Sequence, residues 1–176
     1  LISESKPLVG IEPSSILSFR DEYPELVDME LRQASRLLAQ SVYTVDEFIY
    51  KEFKEGNIRK ELFAETRAKI KLHGHCQQKS ISSTEAALAM LSIPENYEVE
   101  EIGSGCCGMA GSFGYEKEHY DMSMKIGEMV LFPEIRKSSD EMIISAQGIS
   151  CRQQISDGTG VRALHPAEVL YNALRD

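Results

Sequence analysis

Apolar and polar positions change their period several times along the chain, and each change marks an element. Residues 8–11 form a short apolar run closed by Glu12-Pro13-Ser14-Ser15, the pattern of a buried strand that ends in a turn with an N-capping serine. Helical spacing follows at Ile16, Leu17 and Phe19. It resumes after Pro24, a helix-opening residue, through Leu26, Met29, Leu31, Ala34, Leu37 and Leu38. Thr44-Val45-Asp46-Glu47 predicts a capped helix start ahead of Phe48, Ile49 and Phe53, and Gly56 breaks the pattern. Residues 57–67 are charged and predict no definite element.

From residue 68 the period shortens. Ala68-Lys69-Ile70-Lys71-Leu72-His73 alternates as a strand does, and Gly74-His75-Cys76 stands at its end. Residues 83–91 return to helical spacing, with Ser83 or Thr84 as cap and Ala87, Leu88 and Leu91 on one face, up to Pro94. Residues 97–102 alternate again and lead directly into Gly103-Ser104-Gly105-Cys106-Cys107-Gly108-Met109-Ala110-Gly111. Between 116 and 132 the apolar positions Tyr120, Met124, Ile126, Met129 and Val130 recur at helical intervals, which predicts a crossover helix with its methionines as core filler. Residues 141–145 are a compact buried strand, followed by a loop and helix start that reach Cys151. Residues 161–164 predict a short last strand, and His165-Pro166 opens a final helix through Val169, Leu170 and Leu174.

About five strands alternating with helices imply an α/β fold, a mainly parallel sheet with helices on both faces. In such a sheet the strand-to-helix loops share one edge, where ligands bind. Cys76, Cys106, Cys107 and Cys151 each follow a predicted strand, so they are expected to converge on the C-terminal edge of the sheet, joined by residues 12–15 and His165.

Composition narrows the class without changing the architecture. A chain of 176 residues is long enough for one sizeable core, and residues 1–176 are expected to form a single domain. No apolar run approaches the roughly 18 to 20 residues of a membrane-spanning helix. A net charge of −9, with Lys and Arg scattered among acids, argues against a nucleic-acid partner. The chain opens Leu1-Ile2-Ser3-Glu4-Ser5-Lys6, with neither an initiator Met nor a signal pattern, and is expected to be a fragment of something longer.

The cysteines run Cys76, 29 residues, Cys106-Cys107, 43 residues, Cys151, and the chain has four in all. A disulfide framework is typical of short secreted domains, so a reducing, cytoplasmic setting fits this chain better. Four thiolates in one place suit a tetrahedral zinc or an iron-sulfur cluster, because soft sulfur ligands select those ions. Thiol-disulfide chemistry without metal, or cysteines that are simply buried, are the competing readings. His75, next to Cys76, is the better histidine candidate for the site, while His73 reads as packed in its strand. Gly105 and Gly108 let backbone N–H groups approach sulfur.

Together, His75-Cys76, the run Gly105-Cys106-Cys107-Gly108-Met109-Ala110-Gly111-Ser112-Phe113-Gly114, Cys151-Arg152-Gln153-Gln154-Ile155 and His165-Pro166 resemble the cysteine-rich CCG domain. That domain is shared by heterodisulfide reductase, by iron-sulfur components of glycolate oxidase and anaerobic glycerol-3-phosphate dehydrogenase, and by large FAD-linked 2-hydroxy-acid oxidases. The resemblance spans most of the chain and looks closest to the carboxyl-terminal part of FAD-linked D-lactate and glycolate dehydrogenases. It implies an electron-transfer domain whose Cys76, Cys106, Cys107 and Cys151 bind a metal centre, an iron-sulfur cluster with zinc as the alternative, with His75, Gly105 and Gly108 beside it.

The resemblance further implies FAD in a flavin domain outside these residues, a ferredoxin-like domain, a downstream electron acceptor, and a chain that is not catalytic by itself. It places the protein in the cytoplasm, or at the inner face of the membrane through its partners. Two alternatives accompany it, a thiol-disulfide domain of heterodisulfide-reductase type and a structural zinc or interaction module. The sequence departs from the family pattern at two points. Gln154 stands where the family's last cysteine falls, and Ser15 occupies a place that is Cys in some relatives.

Overall fold

The structure is a computed structural model and describes residues 2–175. Its strands are parallel and lie in two sheets. β1 (Leu8–Gly10) pairs with β2 (Val42–Thr44), Leu8 opposite Val42 and Gly10 opposite Thr44. The larger sheet has the order β4-β3-β5, with β3 (Ala68–His73) between β4 (Tyr97–Glu101) and β5 (Met142–Ala146). Ile70 lies opposite Val99 on one side and Ile143 on the other. The expected α/β class and parallel strands are therefore present, and helices cover both sides.

Two differences from the sequence reading concern strands. β2 arises from a three-residue stretch too short to show alternation. The expected strand at 161–164 is a correction, because only Leu164 pairs, as an isolated parallel bridge to Ser145. The physical reason lies in its flanks. Gly160 ends the preceding helix in the left-handed conformation at φ 73°, and His165 already caps the next helix, which leaves room for one pairing residue.

The helices in chain order are α1 (Pro13–Ile16), α2 (Tyr23–Leu26), α3 (Arg32–Ala39), α4 (Val45–Lys54), α5 (Cys76–Ile81), α6 (Glu85–Leu91), α7 (Tyr120–Met129), α8 (Leu131–Arg136), α9 (Ile149–Thr159) and α10 (Pro166–Tyr171). α4 begins as the sequence predicts. The Thr44 hydroxyl accepts from Glu47 N–H at 3.4 Å, and the Glu47 carboxylate accepts from Thr44 N–H at 3.0 Å. The helical spacing after Pro24 does not yield one helix, because Val27 and Asp28 turn extended and separate α2 from α3. Leu26, Met29, Leu31 and Leu37 stay exposed there.

Two apolar clusters cover the larger sheet. On one side Ile70, Leu72 and Ile143 meet α6, α10 and the Ile49, Tyr50 and Phe53 face of α4. On the other, Ile144 and Ala146 meet α8 and α9 through Leu131, Phe132, Ile135, Cys151 and Ile155. The adjacent residues Ile143 and Ile144 thus enter different clusters, as neighbours in a strand covered on both faces must.

α7 corrects one sequence expectation. Its inward residues are Ser123 and Gly127, while Met122 and Met129 are exposed and only Met124 packs against the core. Close approach decides this orientation. A Cβ on Gly127 would fall 2.3 Å from the Phe132 ring, so the smallest residues of the helix must face the neighbours.

Candidate functional site

All parallel strands end on one edge, and the loops leaving β3, β4 and β5 bring the cysteines there. β3 ends at His73, and Gly74 and His75 lead into α5, whose first residue is Cys76. The chain after β4 turns through Ser104 and Gly105 to Cys106 and Cys107. The loop after β5 passes Gln147 and Gly148 into the first turn of α9, which carries Cys151. The loop after β1 adds Glu12 and Ser15.

Together these loops line a cavity of about 420 Å³ that includes all four cysteines, His75, Glu12, Ser15, Tyr115 and Ile149. No disulfide links the cysteines. Cys76 is exposed, Cys106 half-buried, and Cys107 and Cys151 buried, so the thiols run from the cavity mouth inward.

The loop between β4 and α7 bends around the sulfurs by means of its glycines. Gly108 has φ +106°, and a Cβ there would fall 2.2 Å from the Ser123 carbonyl oxygen, so the chain tolerates only glycine at this point. Its N–H donates to Cys106 Sγ at 3.3 Å. Gly105 is different, since nothing lies within 4 Å of the place its Cβ would take.

The four sulfurs shift one another's acidity in opposite directions. Hydrogen bonds from the Cys107 and Cys76 thiols, together with Gly108 N–H, outweigh burial and hold the Cys106 thiol far below its ordinary range. The donors shift in the opposite direction. Cys76 and Cys107 are both pushed well up, first by their bonds to Cys106 and then by burial and neighbouring negative charge. Cys151 is lowered to about 5 by the Cys107 thiol, against burial, with His73 contributing further.

Two imidazoles complete the donor set. His73 is buried, its Nδ1 shares a 2.8 Å hydrogen bond with Ser104 Oγ, and its Nε2 has no partner. One ligand atom from each of His73, Cys107 and Cys151 lie within 4.8 Å of one another. His75 has an unpartnered Nδ1, its Nε2 lies 3.9 Å from Glu12 Oε1, and its N–H donates to Gln147 Oε1 at 3.2 Å. Four sulfurs beside two orphaned buried imidazole nitrogens are a donor set suited to a soft or borderline metal ion or cluster.

The sequence places His73 in the strand, and it is there, but at the end that opens on the sulfurs. Alternation groups it with Lys69 and Lys71 on the polar side. That side is exposed at Lys69 and half-buried at Lys71 but buried at His73, and a sequence signal for this exists only in the Gly74-His75-Cys76 that follows. His165 stands apart from the cavity. Its Nδ1 accepts from Ala167 N–H at 3.0 Å as the cap of α10, and its Nε2 meets Ile11 O at 3.3 Å. Gln154 is turned away as well, and its amide donates to Ser123.

Among the described residues no helix is long and apolar enough to cross a membrane. No family model matches the chain, and no solved structure matches it. Curated proteins do. The chain is 26% identical over 168 residues to one subunit of the anaerobic glycerol-3-phosphate dehydrogenase of Escherichia coli (strain K12), covering 96% of this chain and 40% of that protein. It is 28% identical over 171 residues to D-2-hydroxyglutarate dehydrogenase of Pantoea ananatis, covering 96% of this chain and 16% of the relative. The D-2-hydroxyglutarate dehydrogenase of Haemophilus influenzae is 30% identical over 176 residues, with the same coverage of 96% and 16%. The chain therefore spans well under half the length of the dehydrogenases it matches.

Proposed function

We propose that this chain is the cysteine-rich electron-transfer part of a larger FAD-linked dehydrogenase that oxidises a 2-hydroxy acid or a similar secondary alcohol. Cys76, Cys106, Cys107 and Cys151 hold an iron-sulfur cluster in this reading, with zinc as the alternative occupant. The observation that carries it is the convergence of four cysteines from three separate strand ends on one cavity. The relatives support the reaction class, since both are named as dehydrogenases of hydroxyl-bearing substrates.

A bound cluster would supply one-electron transfer between a flavin and an acceptor. The residues of this chain do the rest. Gly108 N–H stabilises negative charge on Cys106, and Ser104 holds His73 through Nδ1, with one ring nitrogen of His73 within 4.8 Å of the Cys107 and Cys151 sulfurs. His75 and Glu12 stand at the cavity wall, and Cys76 and Cys106 face its mouth, where electrons enter or leave. On this reading the chain by itself does not oxidise substrate. Its partners are a flavin-containing part, a ferredoxin-like part and a downstream acceptor, in a reducing cytoplasmic compartment.

Anaerobic purification with iron, acid-labile sulfide and zinc analysis tests the reading. Iron and sulfide in near-stoichiometric amounts, with a paramagnetic signal in one redox state, are the expected result. Full zinc occupancy with neither iron nor sulfide would sink electron transfer by this site. One observation favours a second reading, thiol-disulfide chemistry, because the half-buried Cys106 Sγ accepts from Gly108 N–H at 3.3 Å, a contact that lowers its pKa and favours a nucleophilic sulfur. Metal-free protein whose cysteines titrate as a reversible disulfide would select it.

A further inference from the structure

A carboxylate lies buried next to the loops that carry the sulfurs, and its partners are amides. Asp46, in the first turn of α4, is 2% exposed. Its Oδ2 accepts from Gln78 Nε2 at 3.0 Å and from Gln147 Nε2 at 3.0 Å. Both donors are buried, at 0% and 1% exposure. Gln78 lies on α5, two residues beyond Cys76, and Gln147 lies in the loop between β5 and α9, four residues before Cys151. Gln147 Oε1 in turn accepts from His75 N–H at 3.2 Å.

One carboxylate oxygen thus joins two cysteine-bearing segments far apart in sequence, and through Gln147 it also reaches the residue before Cys76. Burial pushes the Asp46 carboxyl up, and the Gln78 hydrogen bond opposes this. Taking a carboxylate out of water is costly unless hydrogen bonds or an opposite charge offset it. Packing alone would be served by an apolar side chain, so an acid at this position indicates a use for its acceptor atoms and its charge.

We propose that Asp46 is a positioning residue for the thiol site: through Gln78 and Gln147 it sets the distance between the Cys76 and Cys151 segments, and its negative charge strengthens the binding of a divalent cation by the sulfurs. Only the second half rests on the metal-site reading above. The anchoring half stands on the hydrogen bonds alone.

The test uses Asp46→Asn and Asp46→Ala in the full chain, with circular dichroism to confirm folding. Amide exchange of His75 in metal-free protein, followed by NMR, reads the anchor. Asp46→Ala should release Gln147 and speed His75 exchange at least tenfold, whereas Asp46→Asn, which keeps an acceptor oxygen, should stay near wild type. Cobalt(II) titration, followed by sulfur-to-metal charge-transfer absorption, reads the charge. Asp46→Asn should keep the wild-type spectrum but bind several-fold more weakly, and Asp46→Ala should lose both affinity and spectrum.

His75 exchange unchanged in Asp46→Ala overturns the anchor, and undiminished cobalt affinity in Asp46→Asn overturns the role of the charge. If wild-type protein takes up no cobalt, the metal reading fails and with it the role of the charge, while His75 exchange still decides on the anchor. Should Asp46→Ala not fold, Gln147→Leu removes only the arm that reaches His75. It must then show the same faster exchange, and its failure to do so overturns the anchor.

Discussion

The Gln154 amide donates to Ser123 twice, to its hydroxyl at 2.9 Å and to its carbonyl at 3.2 Å, and so ties α9 to α7. The same Ser123 carbonyl lies against Gly108, the residue after the cysteine pair. Gln154 therefore braces the wall behind the sulfurs and takes no place among them. Gln154 is thus a structural amide in the second turn of α9.

Replacing Gln154 by Ala should leave Ser123 without its donor and open a small void under the cysteine loop. Both groups are buried, so the expected loss is about 1 to 3 kcal/mol of stability. Urea denaturation at constant m-value measures it, and an unchanged midpoint would show that the bond contributes nothing net.

Gly108→Ala is expected to be worse than its size suggests. The added Cβ meets a backbone oxygen at 2.2 Å, and φ +106° is a conformation that L side chains rarely adopt. The loop must move, and Cys106 loses its N–H donor. Lowered thermal stability together with lost metal retention is the expected outcome, and Gly105→Ala, where space is open, serves as the control that should retain both.

Burial ranks the thiols for chemical labelling. With iodoacetamide on native, metal-free protein, Cys106 should be modified first, the exposed Cys76 more slowly because its thiol is pushed up, and Cys107 and Cys151 only after denaturation. Mass spectrometry of peptides gives the order. Early labelling of Cys151 would contradict its place at the floor of the cavity, and bound metal should slow modification of Cys76 and Cys106.

His165 carries a pH dependence whose sign follows from its surroundings. Burial, and next the positive Arg152, lower its pKa from the ordinary 6.5. The unfolded chain then binds a proton in a range where the folded chain does not, so stability is full above about pH 6.5 and falls as pH drops below it. His165→Asn retains a side-chain cap for α10 but cannot titrate there. Its stability should vary less between pH 5 and 7 than that of wild type, and equal slopes would remove His165 from the account.

Much of the fold was legible because period reports burial directly. The strands at 68–73 and 97–101 and the capping box at Thr44 follow from local alternation and from side chains that bond their own backbone. The break at Val27 and Asp28 and the three-residue β2 were not legible, since neither run is long enough to carry a period. The outward methionines of α7 misled for another reason. Hydrophobicity alone places them inward, whereas the close approach of Phe132 admits only Gly127.

The sequence by itself determined that four cysteines follow strands whose ends share an edge, because parallel strands linked by helices leave no other place for those loops. It also determined the glycine run that lets Cys106 and Cys107 sit in one turn. Only the tertiary structure decided which thiols are buried, which imidazole nitrogens lack partners, and that Asp46 reaches both cysteine segments. Those relations join residues as far apart as Asp46 and Gln147, and no local pattern of side chains encodes a contact across 101 positions.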